Sequence, residues 1–455
     1  PAQFCIRATG KNSDDEELTN MVRVNVHGMK FDFGNTTDDG VAEGFTAVGP
    51  ATAYSAASGY GIVQGTATVQ GTASDTDAES DWLQGAVRFD FKVMTGDFYK
   101  VEITYQGVLT TGVINSDLTG YELGTRDAMG TDTFVIPATT DVIDLHIAAN
   151  DATSVAAIAK VVVTKEAKRQ KRQKRVVHHI GDSTSANNGS WAYSLSKNYA
   201  TQYPELAELC DFQNNGAGGR NLSTYYAQGK LAAVLRDIYP DDVVMFGNNG
   251  TNGMGSSFEA DVNYYLDAAE ALGAKIIINS YTPHGAVSNY SSGYNASTHT
   301  FNSYRKDSYE TVVRRVAAER EQSDASYLGF VEIGMNADAI FNAYVADYAA
   351  NGYASADAAA QAIISCFTDH NHYNNGTLAC NLMLAGYATA EAEGIVAQMV
   401  KILEKDKATT PTDAITVSSP AKAGPMPTYT LSGQKVDSTA KPGIYVRGGR
   451  KFVVK

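Results

Sequence analysis

"VVHHIGDSTSANNGSW", residues 176–191, opens on a short, largely apolar run, turns at Gly181 and Asp182, and enters a polar stretch through Ser183, Thr184 and Ser185. A strand that ends in a small-residue turn and feeds a helix is the repeating unit of a parallel α/β sheet. The pattern recurs downstream. "DVVMFG", "AKIIINS" and "YLGFVEI" are short, apolar and partly β-branched, as strands covered on both faces should be. Between them, "FEADVNYYLDAAEALGA" and "RKDSYETVVRRVAAEREQ" place apolar residues at helical spacing. These elements predict a doubly wound α/β/α sheet of flavodoxin-like type over residues 176–405, closed by a helical stretch from about Thr377 to Glu404.

Upstream the period changes to two. In "AVRFDFKV" Val87, Phe89, Phe91 and Val93 alternate with polar neighbours, and "KVEITYQ" repeats this with Val101, Ile103 and Tyr105. Short alternating strands without helices predict an all-β sandwich over residues 1–164. "KEAKRQKRQKR" (165–175) carries seven basic residues and one acid and is read as a solvated basic linker, with a docking or proteolysis site as the alternative. Residues 406–428 are a linker rich in Pro, Thr, Ser and Ala. Residues 429–455 are a short β tail in which Gly448-Gly449 sets a hairpin turn, and "GIYVRGGRKFVVK" is expected to dock on another domain, the sandwich first.

A chain of 455 residues with a formal charge of −14 is globular in composition. Its acidity argues against nucleic acid as the main partner. No apolar run is long enough to span a bilayer, and the chain opens at Pro1 without a charged, apolar leader, so it is expected to be soluble as given. Cys5, Cys210, Cys366 and Cys380 form no C-x-x-C pair, and neither a zinc ribbon nor a dithiol centre is signalled. A bridge between Cys366 and Cys380 remains open, with buried thiols the other reading.

Ser183 has two readings, a helix cap or a nucleophile, and the second needs partners. "CFTDHNHYNNGTLAC" places Asp369 three residues before His372. On a turn, that spacing lets the carboxylate hold Nδ1 and leaves Nε2 to deprotonate an alcohol; an Asp cap beside a surface histidine is the plainer alternative. His370 and His372 lack a third ligand for zinc, and no metal site is expected. For a developing oxyanion, Gly219 in "NNGAGGRNLS" offers an amide without a Cβ in the way, and Asn249 in "GNNGTNG" offers its side chain. As an ordinary turn glycine and an Asx-turn residue, both have simpler readings.

The order Gly-Asp-Ser, glycine, Gly-x-Asn, Asp-x-x-His resembles the four-block signature of the SGNH (GDSL-type) hydrolases. That resemblance implies Ser183 as nucleophile and first oxyanion donor, Gly219 and Asn249 as second and third donors, and Asp369 and His372 as acid and base. "GDST", "AGGRNLSTYYAQGK" and "TDHNHYNNGTLA" are most similar to rhamnogalacturonan acetylesterases and related deacetylases. "FDFG…GFTAV…YSAASGYGIV" resembles the galactose-binding-like sandwich that precedes such domains in bacteria. Block three departs from the family, with Asn248 for its histidine and Gly250 for its aspartate. The tail resembles sorting tails read by the type IX secretion machinery. The expectation is a bacterial, secreted or cell-surface serine esterase without cofactor that removes O-acetyl groups from plant polysaccharide, pectic rhamnogalacturonan first. Acetylxylan, feruloyl or lipid esters are alternatives, as is a carbohydrate-binding protein with an inactive α/β domain. The polar, aromatic stretch 281–301, with Tyr281, His284, Tyr290 and Tyr294, is expected to line the site, or to be an ordinary surface loop.

Overall fold

The computed structural model describes residues 3–11, 17–25, 28–37, 40–106, 112–116, 121–126, 129–149, 155–186, 192, 193, 196, 204–247, 257–281, 293–302, 308–323, 326–369, 372, 378, 382 and 397, and the strands of the tail. Two sheets make the sandwich, antiparallel throughout except where Gly28–Phe33 and Thr46–Val48 pair in parallel. One runs Tyr121–Arg126, Gly112–Ser116, Val142–Ala149, Val87–Lys92, Tyr60–Gly65. The other runs Gly130–Pro137, Phe98–Tyr105, Ala157–Lys165, Gly28–Phe33, Thr46–Val48, with Asp81–Gln84 and Thr68–Gly71 attached beside Ala157–Lys165. Alternation decides what faces inward: Val87, Phe89 and Phe91 are buried while Arg88 and Asp90 are not fully covered. Phe89 meets Phe31 and Phe33 edge-on, with ring centroids 4.9 Å apart in both pairs. Each such pair adds about 0.5–1.5 kcal/mol to the area it buries.

Asp32, Asp81, Thr104 and Asp144 are polar residues buried in the sandwich. Asp32, between Phe31 and Phe33, is 1% exposed, and its Oδ2 accepts the Ala42 N–H at 2.8 Å. Burial, reinforced by the Asp81 carboxylate and opposed by the Ala42 bond, pushes its carboxyl up to about 6. With the folded value raised, the unfolded chain ionises first as pH climbs, so Asp32 lowers stability progressively between pH 4 and pH 6. The stability difference between Asp32→Asn and the native chain should therefore shift by about 3 kcal/mol toward the variant from pH 4 to pH 8. Urea unfolding at the two pH values measures it, and a pH-independent difference would contradict the buried-acid account.

A five-stranded parallel sheet follows, ordered Cys210–Asn214, Arg175–Ile180, Val243–Phe246, Lys275–Asn279, Tyr327–Val331. In chain order this is 2-1-3-4-5, the flavodoxin arrangement, whose direction of winding reverses at the first strand. Ile180, Val244, Phe246, Ile276 and Ile278 pack on helices Lys230–Arg236, Phe258–Ala271 and Ser308–Ser323. Val177, Val243, Met245 and Ile277 alternate to the other face and are also buried. The stretch from Thr377 to Glu404 lies almost wholly outside the described residues.

Sandwich and α/β sheet belong to one compact unit, Pro1–Lys401. The basic run joins them as irregular chain in which Ala167, Lys168, Gln170, Lys171 and Gln173 are exposed, while its other side packs on the α/β helices. Arg169 lies 3.5 Å over the Phe98 ring and donates to the carbonyls of Arg236 and Ile238 at 2.7 Å. Arg172 stacks on Tyr239 and pairs with Asp237, Lys171 pairs with Asp241, and Lys174 pairs with Asp211. Phe98, a sandwich residue, is thereby part of the α/β core cluster. Two further features have no counterpart in the sequence reading: an antiparallel hairpin of Gln3–Lys11 with Glu17–Asn25, and the polar edge strand Cys210–Asn214. Ile402–Lys455 forms a second unit, in which Gly443–Arg447 and Arg450–Val454 pair as the expected hairpin, joined by Thr428–Thr430 and Lys435–Val436. Among the described residues no helix is long and apolar enough to cross a membrane.

Candidate active site

The strand Arg175–Ile180 delivers its carboxyl end to the point where the winding reverses, the place where open α/β sheets bind ligands. Both histidines of this strand are fully buried. Burial drives His179 down to about 3, which keeps its ring neutral, and the ring lies nearly parallel to that of Phe212. At Gly181 the chain passes so close to its neighbours that a Cβ would stand 2.0 Å from Ser185 Oγ and 2.6 Å from His179 Nε2. Only glycine fits this turn.

The helical turn Ser183–Ala186 then begins, and its cap is Asp182. Asp182 Oδ1 accepts from Thr184 N (2.9 Å) and Thr184 Oγ1 (2.8 Å), and its carbonyl accepts from Ala186 N (2.9 Å). The capping role is thus filled by the residue before Ser183. Ser183 Oγ instead lies 2.8 Å from His372 Nε2, across 189 residues of sequence.

His372 is held from three directions. Its Nδ1 lies 2.8 Å from Asp369 Oδ2 and 3.0 Å from Oδ1. Its backbone N–H donates to Asp369 Oδ1 at 2.8 Å, so one carboxylate fixes ring and main chain together. Its carbonyl accepts from Thr368 N (2.7 Å) and Thr368 Oγ1 (3.1 Å). An Nδ1 facing a carboxylate carries the proton, which leaves Nε2 as an acceptor toward the serine hydroxyl. The side chains of His372 and Asp369 are 34% and 48% exposed, so the pair faces solvent while Ser183 is nearly covered.

Backbone bonds tie the strand-end loops to this centre. Asn215 N donates to His179 O, Ala217 N to Gly181 O, and Gly247 N to Ile180 O, each at 2.8 Å. Asn214 clamps two of them, donating from Nδ2 to Ser185 O (2.8 Å) and accepting from Gly216 N (2.9 Å). Gly219 takes φ +71°, and a Cβ there would meet nothing within 4 Å, so it borders open space. The left-handed conformation explains the glycine. Asn249, two residues beyond Gly247, lies outside the described residues, as do Asn248, Gly250, His284, Tyr290, His370 and Cys380. The bridge between Cys366 and Cys380 therefore lies outside the described residues, and Cys366 Sγ donates to Ala362 O at 3.0 Å.

Two of the expected lining residues are described. Tyr281 is a correction: it is 2% exposed, a core residue whose N–H donates to the buried Glu310 at 3.1 Å. Its position directly after the apolar strand Lys275–Asn279 continues the buried run. Tyr294 stands on the hairpin Tyr294–Asn295 with Thr300–Phe301, and its hydroxyl donates to Asp357 Oδ1 at 2.6 Å. Asp357 opens helix Ala356–Ile364, which leads to Thr368 and Asp369, so Tyr294 braces the support of the histidine loop. Sequence reasoning missed Asp182, Asn214 and Thr368. Each is an Asp, Asn or Thr within four residues of a turn it stabilises, a signal shared with many ordinary turns. Among the described residues no group of three or more His, Cys, Asp or Glu side chains could hold a metal ion.

No family model matches the chain, and no curated protein matches it. Among solved structures, the protein YXIM from Bacillus subtilis is 18% identical, over 84% of this chain and 99% of its own, with a TM-score of 0.33. A carbohydrate esterase family 2 enzyme plus carbohydrate binding domain from Corynascus thermopiles (Myceliophthora fergusii) is 12% identical over 70% and 95%, with a TM-score of 0.29. An acetyl xylan esterase from the rumen bacterium Butyrivibrio proteoclasticus is 12% identical over 68% and 89%, with a TM-score of 0.25. Similarity of this extent leaves the chemistry to be read from the chain's own residues.

Proposed function

We propose that the chain is a serine ester hydrolase of SGNH type acting on O-acetyl groups of a plant polysaccharide. One observation carries the reading: Ser183 Oγ, His372 and Asp369 form a continuous hydrogen-bonded chain, with 2.8 Å from Oγ to Nε2 and 2.8 Å from Nδ1 to Oδ2. His372 takes the hydroxyl proton as Oγ attacks the acetyl carbonyl, and Asp369 stabilises the imidazolium that forms. On the motif resemblance, the donors to the tetrahedral oxyanion are the Ser183 N–H and the Gly219 N–H, with the Asn249 side-chain amide as the third. Collapse expels the sugar alcohol, protonated by His372, and leaves an acetyl-enzyme. Water activated by the same histidine then hydrolyses it to acetate.

Acetylated rhamnogalacturonan or pectin is the favoured polymer on the motif resemblance, and acetylxylan is the alternative. Secretion, with the tail as a sorting signal, belongs to the same proposal. In the test, the protein should turn over p-nitrophenyl acetate far faster than the octanoate and release acetate from acetylated pectin or xylan. A preference for octanoate would overturn the carbohydrate reading, and a folded protein inactive on every ester would overturn the esterase reading.

A further inference from the structure

A groove of about 380 Å³ lies between helices Leu222–Ala227 and Phe258–Ala271, lined by Leu222, Ser223, Tyr226, Asp261, Tyr264 and Tyr265. Its place follows from the sheet. The first helix begins three residues after Gly219, whose segment is bonded to Gly181 through Ala217 N. The second helix follows the segment that carries Asn249. Leu222 can be at most about 11 Å from Gly219 along the chain. The groove thus opens within reach of a short oligosaccharide whose ester sits at Ser183.

Its surface has a definite chemistry. Tyr226 and Tyr264 are half-buried and meet at 85°, with ring centroids 5.6 Å apart, which makes a corner of two aromatic surfaces. Beneath them Tyr265 is fixed by donating its hydroxyl to Leu222 O at 2.5 Å, and Tyr225 by donating to Asn215 O at 2.8 Å. Asp261 Oδ2 accepts from Ser257 Oγ at 3.1 Å and Ser223 Oγ at 3.4 Å, and among the described residues no cation pairs with it. A carboxylate in that position accepts hydrogen bonds from hydroxyl groups and repels another carboxylate. Aromatic faces suit the C–H faces of a sugar ring, and the acid and serine suit its hydroxyls.

We propose that this groove is a subsite for an uncharged sugar unit of the polymer, further along the chain from the acetylated unit, and that it selects against a uronate there. The inference rests on the esterase reading for its biological meaning, and its test is separate. Isothermal calorimetry on the Ser183→Ala protein would use xylohexaose and a galactan hexamer as neutral probes and an oligogalacturonate as the anionic one. At least one neutral probe should bind, the anionic one more weakly. Tyr264→Ala in the same background should weaken binding roughly 5- to 10-fold, and Tyr264→Phe should restore it. No neutral binding, stronger oligogalacturonate binding, or a Tyr264→Phe protein as weak as Tyr264→Ala would overturn the subsite. If the native protein cleaves p-nitrophenyl acetate while no neutral probe binds, the subsite alone fails. If a neutral probe binds through Tyr264 while no ester is cleaved, the esterase reading alone fails.

Discussion

Ser183→Ala should abolish labelling by a fluorophosphonate and lower kcat for p-nitrophenyl acetate by roughly 10⁴- to 10⁶-fold, because the nucleophile and its base act as one unit. The variant should fold. The only hydrogen bond of the Ser183 hydroxyl among the described residues is to His372, and the helical turn is capped by Asp182 instead. Replacing a hydroxyl that serves no capping role with a methyl hydrogen leaves the strand-to-helix turn intact, so loss of activity with an unchanged melting temperature isolates the chemistry. Residual turnover comes from whatever donors face the oxyanion. Labelling of the variant at another serine, or a loss smaller than tenfold, would remove Ser183 from the nucleophile's place.

That Ser183 is the residue to test was legible from the Gly-Asp-Ser turn after an apolar strand, whereas its pairing with His372 was expected only on the motif resemblance. Local sequence records the Asp369 and His372 pair because three residues on a turn bring them together. The 189-residue separation of Ser183 from His372 is closed only by the sheet and its loops. The fold divides along the same line. Strands buried on both faces write unbroken apolar runs, so Arg175–Ile180, Val243–Phe246, Lys275–Asn279 and Tyr327–Val331 could be read. Cys210–Asn214 could not, because at the sheet edge its alternate residues Asp211 and Gln213 stay polar and uncovered. The packed side of the basic run was hidden for a different reason. Charge density predicts solvation in isolation, but Arg169 and Arg172 find two aromatic rings and several helix-end carbonyls whose positions no local pattern reports. Tyr281 was misplaced because an aromatic residue at a strand end reads the same whether it lines a cleft or fills a core.

Asp369→Asn is the second large effect expected, a fall in kcat of about 10³- to 10⁴-fold at neutral pH with KM for p-nitrophenyl acetate little changed. The carboxylate accepts from both the ring Nδ1 and the backbone N–H of His372. An amide keeps one acceptor oxygen. That oxygen can satisfy the backbone N–H, and the Nδ2 group then faces Nδ1 as a donor. The ring answers by placing its proton on Nε2, where it points at Ser183 Oγ and cannot accept the hydroxyl proton. Bonds from the Thr368 N–H and Oγ1 to the His372 carbonyl should hold the loop in place, so the loss should appear in the rate and not in thermal stability. The imidazole resonances of His372 report the tautomer directly by NMR, and the variant should show the Nε2-protonated form. A variant that keeps more than a tenth of native kcat would mean that Thr368 and the backbone orient His372 by themselves and that Asp369 serves the turn alone.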